Sequence, residues 1–160
     1  MTQVDHKASA QTVVRLLRNP GLASGKPVLL VGDEVDRRAT IAALGSLLHT
    51  VPINVNVTLA EALIDSDQRV DPSAIIAGLS SGDGPLILDR IQILMLPQLR
   101  FNTVDVLCRV ARRRPTCVSW PGRLDGGRLR YAHPDHPECL DEDVSRVTVV
   151  DLSTNEGPEQ

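Results

Sequence analysis

The chain has 160 residues, 42% of them hydrophobic and 23% charged, with a formal net charge of -3. This is enough for one soluble globular domain with a real core, and the slight negative balance excludes a global attraction to nucleic acid or membrane surfaces. An aromatic content of 2% makes the core aliphatic, and three scattered Cys predict reduced thiols in a cytoplasmic protein rather than a disulfide framework.

Residues 2–18 are expected to form a helix with Val13, Val14, Leu16 and Leu17 on its apolar edge, stopped by Asn19-Pro20-Gly21. The start, Met1 to Ser9, has no apolar run of a signal peptide. No later stretch reaches the length of a membrane span. Pro27 to Val31 is a continuous apolar run ending at Gly32, the pattern of a buried parallel strand. Ile41, Leu44, Leu47 and Leu48 then fall at helical spacing and predict a helix over 37–48.

Val51 to Val57 alternates, with Ile53, Val55 and Val57 on one face and Asn54 and Asn56 on the other, and reads as a strand. Thr58-Leu-Ala-Glu61 matches a capping box and is expected to open a helix through Ile64. Asp71-Pro72 supplies an N-cap and a first-turn Pro for a short helix through Leu79. Pro85 to Asp89 is a second buried strand. Asn102 to Arg114 is a helix with Val104, Leu107, Cys108 and Ala111 on its apolar face and Arg112, Arg113 and Arg114 at the negative end of its dipole. Thr116 to Trp120, Leu129 to Ala132 and Arg146 to Leu152 read as strands. Residues 1–152 thus form one α/β domain with a mostly parallel central sheet flanked by helices, and residues 153–160 a disordered acidic tail.

Two places carry candidate nucleotide chemistry. The turn Gly32-Asp-Glu-Val-Asp-Arg37-Arg38-Ala39-Thr40 lies between a buried strand and a helix, where a phosphate-binding loop belongs. Such a loop needs several Gly, a Lys and a hydroxyl. Gly32 is kept, Arg37 stands in the place of the second Gly, Arg38 in that of Lys, and Thr40 is one position late. Asp33, Glu34 and Asp36 would repel an anionic ligand. Leu86-Ile-Leu-Asp89 reads as a strand whose terminal Asp could hold Mg2+ through water, with Arg90 where a catalytic acid would stand. ATP with Mg2+ is therefore the candidate cofactor, on Gly32, Arg37, Arg38, Thr40 and Asp89, at a degenerate site; the other reading is a capped turn and a strand that merely ends in Asp.

The segment from Trp120 to Glu138 holds the only Trp and the only Tyr of the chain, together with Gly, Pro and His residues. His133, His136 and Cys139 have ligand-like spacing, with Glu138 and Asp141 the nearest candidates for a fourth ligand, but Pro134 and Pro137 stiffen the stretch, so it reads as a rigid loop rather than a metal site. Arg112 to Arg114 with Arg123, Arg128 and Arg130 would make a basic patch for DNA phosphates if the strands gathered them; the other reading is a solvated face.

A strand ending in Trp120, the following Gly122, and Tyr131-Ala132 leading to His136-Pro137-Glu138 resemble the C-terminal part of the small P-loop protein of type 3 bacteriophage-exclusion (BREX) systems. The Asn54-Val-Asn56 stretch and the Asp89-ending strand follow the same family order. The resemblance implies a P-loop NTPase-like fold and a subunit of a phage-defence assembly, weakly catalytic or non-catalytic, acting through other phage-exclusion proteins and as a homo-oligomer. Independently of the resemblance, the concentration of rare aromatics, Pro and Gly with Arg anchors marks the segment as a contact surface or its supporting loop, with Arg113, Arg114, Trp120 (as a core or interface anchor), Arg130, Tyr131, His136 and Glu138 as its residues. The alternatives are an active ATPase using Arg38 and Thr40, and a DNA-binding adaptor built on the arginines.

Overall fold

The computed structural model describes residues 4–19, 25–65, 70–79, 84–131 and 140–153. Helix α1 (His6–Arg18) starts at Asp5, whose carboxylate accepts the Ala8 N–H, and buries Ala10, Val13 and Leu17 along one face. Strand β1 (Val28–Val31) is followed by α2 (Glu34–Leu48), β2 (Ile53–Asn54), α3 (Val55–Asp65), α4 (Pro72–Gly78) and β3 (Leu86–Asp89). Two 3-10 turns, Gln92–Met95 and Pro97–Leu99, lead into α5 (Thr103–Arg113) and β4 (Thr116–Ser119). Strands β5 (Arg123–Asp125), β6 (Arg128–Tyr131) and β7 (Leu140–Asp143) follow, then a 3-10 turn Val144–Arg146 and β8 (Thr148–Asp151).

Among the described residues the main sheet runs β2-β3-β4-β1-β8, and every pairing in it is parallel. The strand period of two divides its side chains between two cores. Val28 and Leu30, with Ile87 and Cys117, meet α1 and α2 on one face. Leu29 and Val31, with Leu86, Leu88 and Val118, meet α3, α4 and α5 on the other. The connection from β1 travels to the β2 edge on the first face, and the chain returns through β3 to β4 on the second. Opposite directions on opposite faces are what a uniform crossover handedness requires.

The predicted strands over 27–31 and 85–89 are both internal and parallel, as expected from their unbroken apolar character. The expected strand over 51–57 is corrected: only Ile53 and Asn54 pair, and the chain turns helical at Val55. The cap is Asn54, whose Oδ1 accepts the Val57 N–H at 3.2 Å. The carbonyl of Arg90 takes the next free donor, the Asn56 N–H, at 2.8 Å. Thr58-Leu-Ala-Glu61 therefore lies inside the helix and caps nothing. We expect Asn54→Ala to lose about 1 kcal/mol, visible as a lower denaturant midpoint at unchanged slope. An unchanged midpoint would mean that the Arg90 carbonyl alone holds this helix start.

The late strands also divide differently from expectation. β8 joins the parallel sheet beside β1. β6 instead pairs antiparallel with β5 and β7 in a separate small sheet, β5-β6-β7. That small sheet bridges β4 to β8. The expected tail over 153–160 lies outside the described residues except for Ser153, whose N–H and hydroxyl both bond to Asp151.

Candidate functional site at the carboxyl edge of the sheet

The loop after β1 leads toward the α1/α2 face, whereas the loop after β3 leads toward the opposite face. Diverging connections open a crevice at the carboxyl ends of parallel strands, the usual place for a ligand in such sheets. A cleft of about 320 Å3 lies there. Its walls come from the first turn of α2 (Glu34, Arg37, Arg38), the end of β3 (Asp89, Arg90, Gln92), and the end of β4 with its successor (Ser119, Pro121). Tyr131, at the end of β6, closes one side. A larger but more open hollow of about 450 Å3 runs past Asp71, Arg100, Phe101 and Arg109. Two of its polar groups, Asp71 and Asn102, are engaged as helix caps, which leaves the smaller cleft as the better-formed site.

The turn from β1 to α2 is Gly32-Asp33, and the helix begins at Glu34. Gly32 has a geometric reason to be Gly. Its φ is +155°, and a Cβ there would come within 2.9 Å of the Leu152 Cβ. The residue lets the ends of β1 and β8 approach. Arg37 and Arg38 are helical, as the helix expected over 37–48 had them, and that helix starts three residues earlier, which leaves the phosphate-loop reading no loop at these positions.

Arg37 reaches back across the strand ends. Its Nε donates to the Gly32 carbonyl at 3.0 Å and its Nη1 to the Ser119 hydroxyl at 2.8 Å. Burial pulls this guanidinium below its ordinary pKa, and the carboxylates of Glu34 and Asp89 act the other way; an arginine remains charged throughout. Arg38 projects outward and pairs with Glu34 at 2.8 Å, an exposed i,i+4 contact that contributes little. Thr40 is fully buried and donates its hydroxyl to the Asp36 carbonyl at 2.8 Å, so it does not face the cleft. Asp36 is turned toward α1, where it meets His6 Nε2 at 2.9 Å. Of the expected nucleotide residues, the structure brings Arg37, Arg38 and Asp89 to one cleft, keeps Gly32 beneath it, and points Thr40 away.

Asp89 caps its own turn, accepting the Arg90 N–H at 2.9 Å. Arg90 has φ +52°, in the left-handed region, so the chain bends sharply where β3 meets the cleft. Asn56 fixes that bend from α3. Its Nδ2 donates to Gln92 Oε1 at 3.1 Å and its Oδ1 accepts the Ile93 N–H at 2.8 Å. The two Asn residues of the Asn54-Val-Asn56 stretch therefore hold backbone, one as a cap and one as a clamp on the β3 turn. Sequence reading missed Gln92, Ser119 and Pro121 as cleft residues. Ser119 carried a usable signal, a polar residue closing the apolar run of β4.

The expected contact segment separates into parts. Trp120 is fully buried and its Nε1 donates to the Arg130 carbonyl at 3.4 Å. It is a core residue that presents no surface in this chain, the core alternative of the two expected for it, and it supports the segment rather than forming its outer face. Arg114 is also buried, at 7% exposure, and donates Nε to the Gly84 carbonyl at 2.8 Å. Arg113 is exposed, and Arg130 and Tyr131 are half-buried on β6. His136 and Glu138, with His133 and Cys139, lie outside the described residues. The expected basic patch is interrupted: Arg128 pairs with Asp141, and Arg130 lies 3.6 Å from Asp125 and 3.9 Å from Asp141. The Arg130 Nε is buried without a hydrogen bond. The two findings agree once 3.6 Å is read as a long ion pair rather than a hydrogen bond.

No helix among the described residues is long and apolar enough to cross a membrane. No family model, curated protein or solved structure matches this chain. What the fold and site define is a parallel α/β domain with a charged cleft at the carboxyl edge of its sheet.

Proposed function

We propose that this chain is a P-loop-NTPase-like subunit of a bacteriophage-exclusion assembly that does not turn over ATP and acts through partner proteins in the cytoplasm. The observation that carries the non-catalytic half is the two-residue turn Gly32-Asp33. A phosphate loop must wrap its ligand with several backbone N–H groups before the helix begins. Here the helix begins at once, its first turn carries Glu34 and Asp36, and the Thr40 hydroxyl is committed to its own helix. Asp89 could still reach a metal-bound water at the cleft, but nothing beside it supplies the phosphate cradle.

The partner half rests on the resemblance in the Trp120 to Glu138 segment. Its charge pattern favours a protein over DNA. On β5, β6 and β7, Arg123, Arg128 and Arg130 alternate with Asp125, Asp141, Glu142 and Asp143, a mixed surface rather than a basic stripe. A homo-oligomer and a larger defence protein are both partners of this kind. Calorimetric titration with Mg-ATP is expected to show a Kd weaker than about 1 mM and no phosphate release above background. Micromolar affinity, with turnover abolished by Asp89→Ala, would favour the active ATPase.

A further inference from the structure

We propose that the carboxyl-edge cleft is a binding site for a small oxyanion, a carboxylate or a phosphate monoester, gripped by the side chain of Arg37 rather than by backbone N–H groups. It rests on the reading that the phosphate cradle is absent, and gives the remaining cleft a different ligand class. Arg37 is the reason. Its guanidinium is half-buried, and its two hydrogen bonds go to neutral acceptors, the Gly32 carbonyl and the Ser119 hydroxyl. It makes no ion pair among the described residues. A desolvated cation held by neutral acceptors is stabilised when an anion completes it, and the planar fork of Arg suits a two-oxygen ligand.

The charge balance sets the ligand's size and charge. The walls carry three guanidiniums, Arg37, Arg38 and Arg90, against two carboxylates, Glu34 and Asp89. Arg38 is already paired with Glu34. Among these lining residues one positive charge is left in excess; Asp36 is turned away to His6, but Asp33 also acts on Arg37, so the balance leaves room for at most a single oxyanion and none for a polyphosphate. The cleft's about 320 Å3 is at the small end for ligand pockets. Asp89, at the far wall, has a carboxylate oxygen beyond the one that accepts the Arg90 N–H, and would take a hydroxyl or amino donor on the same ligand. Anion at one end and donor at the other is the ligand pattern the walls describe.

The test uses the whole protein and its one tryptophan. Trp120 lies between two cleft residues, Ser119 and Pro121, so its fluorescence reports occupancy. Inorganic phosphate, malonate and Mg-ATP are titrated separately, with sodium chloride matched for ionic strength. Saturable binding of phosphate or malonate is expected below about 10 mM, with Mg-ATP no tighter than phosphate. Whichever of phosphate and malonate binds more tightly identifies the source of the oxyanion. Arg37→Gln should weaken binding by about tenfold or more, and Arg37→Lys should recover part of it. Arg90→Ala, which leaves the Gly32 and Ser119 contacts in place, should weaken binding less and keeps the test valid if Arg37 variants unfold. No saturation by either simple anion, or equal affinity in wild type and in both the Arg37→Gln and Arg90→Ala variants, overturns the proposal. Tight Mg-ATP binding with turnover would instead overturn the non-catalytic reading, so the two failures are distinct.

Discussion

Trp120→Ala is expected to destabilise the protein by about 3–5 kcal/mol, the range for emptying a buried aromatic site. The side chain has 0% exposure and packs in the larger of the two cores with Leu129 of β6, Val118 of β4 and the apolar face of α5. It also ties the two sheets together, because its Nε1 bonds to the carbonyl of Arg130 in the small sheet. Its removal leaves a cavity and takes a donor from the part-buried Arg130 carbonyl, and each adds to the loss. For a chain of this length the melting temperature should fall by roughly 10 °C, read by far-ultraviolet circular dichroism because the fluorophore is gone. Trp120→Phe should lose much less, since it keeps most of the volume. A fall of only a degree or two in Trp120→Ala would mean that the side chain is not the core anchor that its burial makes it.

The parts of this fold that were legible in the sequence share one property: a local signal and the tertiary demand agree. Leu86 to Asp89 is apolar because both faces of the sheet are covered, and its sequence says so without help from elsewhere. Asp71-Pro72 caps the helix that follows it, as read, whereas Asn102, expected as the first residue of its helix, is that helix's cap. Ile53 to Val57 failed because two periods compete there. The alternation of Ile53, Val55 and Val57 fits a strand, while Val55 and Leu59 fit a helix and are the pair buried. Val57 is left 53% exposed. The cap at Asn54, supported by the distant Arg90 carbonyl, decides the contest, and no window of sequence contains both residues.

The cleft was legible only in part for the same reason. Arg37, Arg38 and Asp89 were found as members of motifs; Asp89 ends its strand as expected, but the roles given to Arg37 and Arg38 required a loop at residues which are helical. Ser119 and Tyr131 reach the cleft from β4 and β6, and only strand order brings them there. Sequence spacing also misread the arginines. Arg112 to Arg114 are consecutive, yet Arg112 and Arg113 are exposed while Arg114 turns inward to Gly84. Arg128 and Arg130 meet carboxylates on strand β7, more than ten residues away, so the positive charge seen along the chain is largely neutralised across the sheet.

Gly122→Ala should be as damaging as the loss of Trp120, although it adds one methyl to a residue on the half-exposed connection between β4 and β5. A Cβ at this position would overlap the backbone carbonyl oxygen of Arg130 and lie 2.9 Å from Trp120 Nε1. Both obstacles belong to the same contact, the one in which Trp120 bonds to that carbonyl. Neither can yield cheaply, because the Arg130 carbonyl is backbone within a paired strand and the Trp120 ring is locked in the core. The chain must therefore separate β6 from Trp120 or distort β5 entry. Overpacking of this kind loses about 3 kcal/mol or more. Gly78→Ala is the matched control: a Cβ there meets nothing within 4 Å, and at the end of a helix the change should be neutral or stabilising by up to about 1 kcal/mol. Thermal melts of the two variants should thus move in different directions or by clearly different amounts. If Gly122→Ala melts within about 1 kcal/mol of wild type while Gly78→Ala behaves as expected, the close crossing of Trp120, Gly122 and Arg130 is not how the small sheet is attached to the domain.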